Sequence, residues 1–273
     1  MQKEAIMEFL LLDGKVKKVE ECNIFQEIEK SPIYEVVRVI GGKEQFIEDH
    51  IQRMFDSFQL LDYENSYSQE DITNFARECI RINKIKDNNI KLLAVELNDM
   101  RKIFMVYAIE SYYPPDSVYK EGIKTIIFKH TRDNPNAKVQ HLDYKVAVTN
   151  AIKESNAYEA LLLNEAGYIL EGSRSNMFYL IGDTMYTAPS SRVLLGITRK
   201  HIIKSIKDLK LNLVEKELHV DDLNRLDGMF ISGTSIGVLP VNSVDDLKIN
   251  SAENKIIKNI LNEYNKLTGK ILG

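Results

Sequence analysis

The 273-residue sequence predicts an α+β protein in two parts. Short β-branched runs closed by Gly and Asp turn signals read as sheets. Long segments with apolar residues at three- and four-residue steps read as helices packed on those sheets. A proline pair, Pro114-Pro115, interrupts both patterns and marks a linker. The expected boundaries are 1–113 for a small N-terminal α+β domain, 114–119 for the linker and 120–273 for a larger C-terminal α+β domain. A hydrophobic fraction of 44% and a charged fraction of 28% are ordinary for a globular chain.

In the N-terminal part, Ile6–Leu12 and Val16–Val19 flank Asp13-Gly14, a hairpin signal. Ile33–Ile40 is a Val- and Ile-rich strand that Gly41-Gly42 turns into Glu44–Ile47. The spacing of Ile51, Met54, Phe55, Phe58 and Leu61 predicts a helix over Asp49–Leu61 with Asp49 as N-cap. A second helix is expected over Ser68–Ile82, starting at Ser68 or Gln69. Strands Ile90–Glu96 and Ile103–Ser111 follow, joined by Asn98-Asp99.

After the linker, Ile123–Phe128 reads as a strand and Thr131–Asn136 as a polar loop. Lys138–Ser155 is expected to be a helix that opens on Lys138. Glu159–Leu163, Tyr168–Leu170, Asn176–Ile181 and Met185–Ala188 form an expected antiparallel meander. Thr198–Leu209 is a predicted helix capped by Thr198, followed by strands Leu213–His219 and Met229–Ser232 and a last helix near Ala252–Thr268.

Net charge is −4 and the pI is near 5.8, so no global basic field draws the chain to nucleic acid or to an anionic membrane. Cys22 and Cys79 give neither a disulfide framework nor a metal spacing. The N-terminal apolar run is short and broken by acids, so neither a signal peptide nor a membrane span is expected, and the chain reads as cytoplasmic.

Four elements carry the candidate chemistry. Lys138 follows the turn-forming Asn134-Pro135-Asn136 and can be aimed into a pocket as a nucleophile, whereas Lys145, its rival, sits mid-helix. Glu171 lies 33 positions beyond Lys138 and opens a run of small polar residues, Gly172-Ser173-Arg174-Ser175-Asn176. Leu195-Gly196-Ile197-Thr198 leads into a helix whose first amides are unpaired, a ready phosphate site. Gly233-Thr234-Ser235 is a second hydroxyl-bearing loop, and Arg53, on one helix with His50, is a candidate phosphate cation. A lysine, an acid and a phosphate cradle are together what a pyridoxal phosphate site requires.

Y-E-V-V-R-V, E-D-H-I-Q-R-M, the Lys138-to-E-G-S-R-S-N block, L-G-I-T-R and G-T-S-I-G-V-L-P-V occur in this order from Ile33 to Val241. This series resembles the class IV aminotransferases, the fold-type IV pyridoxal phosphate enzymes, which include branched-chain and D-amino acid aminotransferases and aminodeoxychorismate lyase. The resemblance implies a small and a larger domain with the cofactor at their junction, and a homodimer. It implies that Lys138 carries the Schiff base and that Glu171 pairs with the pyridine nitrogen. Arg53, Ile197, Thr198, Thr234 and Ser235 would hold the phosphate. Tyr144 falls one place later than the family pattern, and the carboxylate-binding Arg and His of D-amino acid aminotransferases are absent from Lys91–Val95. Tyr34, Arg38 and Arg101 remain as candidate substrate contacts. Amino transfer between an amino acid and a 2-keto acid by a ping-pong cycle is the expected activity. A lyase of the aminodeoxychorismate type, or a non-catalytic protein on the same fold, are the alternatives.

Overall fold

The computed structural model describes residues 3–131, 138–139 and 142–269, and among them two compact units are distinguished. Unit 1 comprises Met1–Tyr112 with Ala137–Leu142, and unit 2 comprises Tyr113–Asn136 with Asp143–Gly273.

Unit 1 is built on six strands: β1 (Phe9–Leu12), β2 (Lys15–Lys18), β3 (Ile33–Ile40), β4 (Lys43–Glu44), β5 (Asn88–Glu96) and β6 (Lys102–Ile109). They lie in the order β2-β1-β6-β5-β3-β4, and every pairing is antiparallel. Its helices are α1 (Ile24–Glu27), α2 (Ile47–Leu60) and α3 (Gln69–Ile82). Alternation along β3 buries Ile33, Glu35, Val37 and Val39. The apolar members of that set pack against Ile47, Ile51, Met54 and Phe58 of α2 and Ile72, Ala76 and Cys79 of α3. On the sheet's other face Leu93, Met105 and Tyr107 pack against Phe25 and Ile28.

The second helix starts as the sequence predicts: Asp71 N donates to Ser68 Oγ at 3.1 Å while Ser68 N donates to the Asp71 carboxylate at 2.9 Å, a capping box. Asp49, expected as the cap of α2, lies inside the first turn instead. The helix begins at Ile47 after Phe46, whose left-handed φ of 54° makes the bend that an Asx cap would otherwise make.

Lys138 does not open a helix. Tyr34 N donates to Lys138 O at 3.1 Å and Val139 bridges Ile33, so this extended stretch lies along the first residues of β3. β4 pairs only with Val39 and Ile40, which leaves that edge of β3 available. The lysine expected in the C-terminal part therefore belongs to unit 1, and the helix proper begins at Leu142.

Unit 2 contains α4 (Asp116–Glu121), β7 (Ile123–Lys129), α5 (Leu142–Glu154), β8 (Glu159–Leu163), β9 (Tyr168–Gly172), β10 (Asn176–Ile181) and β11 (Thr184–Thr187). It continues with α6 (Ile197–Asp208), β12 (Asn212–Glu215), β13 (Leu218–His219), β14 (Gly228–Gly233), β15 (Gly237–Val244), β16 (Leu247–Lys248) and α7 (Lys255–Thr268). Helix α4 occupies the stretch where the sequence suggests a linker. The antiparallel run β8-β9-β10-β11 matches the expected meander. The pairings β15–β7, β7–β8 and β11–β12 are parallel. Because β9 also pairs with β10, strands β10, β14, β15, β7, β8 and β9 close into a ring. Phe178 and Phe230 stack inside the main core at 4.8 Å. Apart from Thr131, the loop expected over 131–136 lies outside the described residues, as does His141. Among the described residues no helix is long and apolar enough to cross a membrane.

Candidate active site

In unit 1 three polar residues sit where the sequence places apolar ones. Glu35 shares the buried phase of β3 and is fully inaccessible to solvent. His50 and Arg53 lie on the buried stripe of α2 among Ile47, Ile51 and Met54. Arg53 Nε donates to Glu35 Oε1 at 2.7 Å and Arg53 Nη2 to Oε2 at 2.6 Å, a bidentate pair that fixes the guanidinium plane. His50 Nδ1 lies 2.7 Å from Glu35 Oε2.

Burial alone would raise the Glu35 pKa, but the Arg53 charge and the hydrogen bonds from His50 and Arg53 hold it down at about 2. Burial lowers the His50 pKa despite Glu35, and the charges on Arg53 and Lys138 push it the same way. A neutral His50 beside an ionised acid is a donor at Nδ1, which leaves Nε2 as an acceptor.

Lys138 adjoins this cluster. Its backbone N donates to Ser57 Oγ at 3.4 Å, and Ser57 Oγ in turn donates to Arg53 O at 2.9 Å. Its Nζ stands 4.8 Å from the centroid of the Tyr34 ring. Arg38, four residues along the same face of β3, is 3.8 Å from Asp87. Arg101 is elsewhere: more than half exposed, it pairs with Asp99 and Glu27, both at 2.6 Å.

In unit 2 the second set converges on Asn176. Glu171 is directly across from it on β9, and Ser232 is across from it on β14. Asn176 Nδ2 donates to Leu194 O at 2.8 Å, and Leu194 N donates to Glu171 Oε2 at 3.3 Å. A Cβ on Gly196 would stand 2.1 Å from Asn176 Oδ1, so a larger residue there would push the amide aside where the chain enters α6. The N-cap of α6 is Gly196 rather than Thr198, with no side-chain cap. Thr198 sits in the first turn, and burial pushes the pKa of Tyr264 up to about 12. The first amides of this helix have no partner within it. Ser232 Oγ is buried on the same face as Asn176 and has no hydrogen-bond partner among the described residues.

The G-S-R-S-N loop is held from below by a further acid. Glu159, fully buried on β8, accepts from Ser173 Oγ at 2.5 Å and from Ser175 Oγ at 3.0 Å. Thr234 and Ser235 occupy the turn after β14, closed by Ile236 N donating to Gly233 O at 3.1 Å. Tyr144 stacks on His130 at 4.1 Å.

Thus in unit 1 Lys138 adjoins the Tyr34 ring with its side chain and Arg53 through its backbone and Ser57, and Glu171, Ile197 and Thr198 share one corner of unit 2. Sequence reasoning missed Glu35, Glu159, Asn176 and Ser232, and it took His50 only as a neighbour of Arg53. For Glu35 a signal was present: an acid in phase with Ile33, Val37 and Val39.

Unit 2 thus sets an acid against a glycine-led helix N-terminus, and unit 1 holds a lysine over an aromatic ring. Residues 32–244 match the family model for amino-transferase class IV, and the chain belongs to that family. It is an aminotransferase that moves an amino group between an amino acid and a 2-keto acid. It is 27% identical over 268 residues to a D-alanine aminotransferase of Bacillus licheniformis, covering 92% of this chain and 94% of that protein. It is 28% identical over 218 residues to a branched-chain-amino-acid aminotransferase of Pseudomonas aeruginosa, covering 74% and 71%. The branched-chain amino acid aminotransferase of Escherichia coli superposes with a TM-score of 0.84 at 23% identity, over 97% of this chain and 96% of that one. That likeness establishes the fold, fold type IV.

The buried cluster dictates a pH dependence. The lowered His50 pKa means that the unfolded ring takes a proton which the folded ring refuses, so stability is full above about pH 6.5 and falls below it. The Glu35 contribution is full above 4.5 and is lost as pH falls towards about 2, a loss of about 3 kcal/mol. Urea unfolding across this range should show stability declining in that order. The Glu35→Gln variant should lack the lower limb and start about 3–5 kcal/mol less stable, because Arg53 is left buried without its acid. An unchanged lower limb in that variant would rule Glu35 out as its source.

Proposed function

We propose that this aminotransferase binds pyridoxal 5'-phosphate with Glu171, Ile197, Thr198, Thr234, Ser235 and Arg53, and that Lys138 is its reacting amine. The observation that carries this reading is the corner of unit 2 where Glu171, Asn176 and the start of α6 meet. There a buried carboxylate suits a protonated ring nitrogen, and unpaired amides at a helix N-terminus suit a phosphate. The missing Cβ at Gly196 keeps those amides approachable, and the buried Ser232 hydroxyl supports a polar occupant beside them.

When bound, the cofactor supplies an electron sink for the pair left on a substrate carbon as its proton departs. Lys138 Nζ would be the amine that holds the cofactor and, once free, the base positioned to move the substrate's α-proton. Tyr34 orients that amine with its ring face. Glu35 holds the Arg53 plane, so the guanidinium needs no reordering on meeting an anion. Because Glu35 already balances the Arg53 charge, much of the attraction for a phosphate dianion falls to the α6 amides. We further infer a homodimer, on the family resemblance, and substrates with aliphatic side chains, on the names of the relatives.

Borohydride reduction of the pyridoxal phosphate-treated protein followed by peptide mapping should place the label on Lys138. Lys138→Ala should lower amino transfer roughly 10³-fold or more. A label on Lys145 would overturn the assignment. Gly196→Ala should weaken pyridoxal phosphate binding by at least about tenfold in a spectroscopic titration, through the clash with Asn176. Unchanged affinity would remove α6 from the phosphate site.

A further inference from the structure

Residues 188–196 cross from β11 to α6 with no helix or strand of their own, yet this strap delivers a contact to the acid of unit 2. Near its end Leu194 N donates to Glu171 Oε2 at 3.3 Å, while Leu194 O accepts from Asn176 Nδ2 at 2.8 Å. Within the strap, Arg192 N donates to Pro189 O at 2.9 Å and Gly196 N to Leu194 O at 2.8 Å. Ala188 and Val193 are buried against Leu170, the neighbour of Glu171 on β9.

The beginning of the strap is held from outside. Arg199, in the first turn of α6 and only 4% exposed, turns back over 11 positions, and its Nη2 donates to Ala188 O at 3.0 Å. The same nitrogen donates to Glu215 Oε1 on β12 at 3.2 Å, and Nη1 donates to Ser190 Oγ at 3.4 Å. Glu215 closes the set: Ser190 N donates to its Oε2 at 3.0 Å and Ser190 Oγ to its Oε1 at 2.7 Å. One guanidinium therefore clips the start of the strap and strand β12 to the helix into which the strap leads. Stability explains this arginine poorly. Its Nε is buried with no hydrogen-bond partner among the described residues, and the Glu215 side chain is 43% exposed, so one donor is stranded while water screens the ion pair.

We infer that Arg199, assisted by Glu215, is a positioning residue for amino transfer: by locking the 188–196 strap it keeps the Leu194 amide on Glu171, and so holds that carboxylate towards the cofactor's ring nitrogen. The inference rests on the assignment of Glu171 as the partner of that nitrogen. A hydrogen bond to one oxygen of a carboxylate limits its rotation, so the group is presented in a set direction. Without the lock Leu194 drifts, and the acid drifts with it.

Two readouts on the full chain test this. The first needs no cofactor: hydrogen–deuterium exchange of peptides covering residues 189–196. Arg199→Met should speed exchange there at least about tenfold, while the β10 and β14 peptides keep their protection. Glu215→Gln should speed it about threefold, and this arm stands if Arg199→Met fails to fold. The second readout is the pH at which the absorbance band of bound pyridoxal phosphate changes. A positive charge on the ring nitrogen makes the nitrogen joined to Lys138 more acidic, so Glu171→Gln should move that midpoint upward. Arg199→Met should move it upward as well, by roughly 0.5 pH unit or more, and should add nothing in a Glu171→Gln background. An arginine that served only the fold would leave the midpoint in place. Unchanged strap exchange, an unmoved midpoint in Arg199→Met, or a shift that persists in full beside Glu171→Gln would each overturn the inference. A midpoint that stays put in Glu171→Gln itself counts instead against the cofactor assignment, because the exchange result does not depend on the cofactor.

Discussion

The ring of strands in unit 2 closes through one cross-strand pair, Glu171 opposite Asn176. Their two strands diverge immediately: β9 goes on between β8 and β13, and β10 between β11 and β14. The residues between them make a tight return that needs Gly172, since a Cβ there would stand 2.1 Å from Ser175 Oγ. The return also needs Glu159, which gathers both serine hydroxyls beneath it. Asn176 then reaches out of the sheet to Leu194 and sets how near the start of α6 can come. Closure of the sheet, placement of the acid and placement of the helix terminus are one constraint, because all three pass through the same amide.

This constraint explains what could be read in advance. Glu171, Ile197 and Thr198 were legible because each sits in a short stretch with its own chemistry: an acid before small polar residues, and a glycine before a helix. Asn176 stood in plain view but gave no signal, since an asparagine at a strand start is ordinary and its partner Gly196 is 20 positions away. The antiparallel meander followed from turn residues, whereas the parallel pairings of β7 with β8 and β15 did not, because alternation says nothing about the direction of a neighbour. Helix starts were the weakest reading. Asp49, Thr198 and Lys138 all look like openings, yet a left-handed Phe46, a bare Gly196 and an edge pairing to β3 decide otherwise.

The buried triad of unit 1 makes a different point about charge in a core. Glu35, Arg53 and His50 could be replaced by apolar residues of similar size with little loss of stability, or with a gain, because desolvation offsets much of their attraction. What apolar residues could not do is hold a guanidinium in one plane, since Arg53 alone would choose among many rotamers. The depressed Glu35 pKa shows the attraction winning over burial, which requires both oxygens to be met at close range, as they are. The arrangement gives up some stability and fixes a direction, as a site for a rigid anion requires.

Strand β3 ties this triad to Lys138 and Lys91, because adjacent residues of one strand point to opposite faces. Glu35 faces α2 and meets Arg53, while Tyr34 faces away and meets both Lys138 and Lys91. A slip of one residue would turn Glu35 onto the lysines and drive the Tyr34 ring into the packed core beside α2. The strand is guarded against that slip from both edges: by the seven-residue ladder to β5 on one side, and on the other by Tyr34 N bonded to Lys138 O and the bridge from Ile33 to Val139. Lys138, the proposed reacting amine, is thus itself part of the register lock. Any change that frees the 138–139 stretch from β3 loosens Lys138, and it removes one of the restraints that keep Glu35 on the face where Arg53 awaits it.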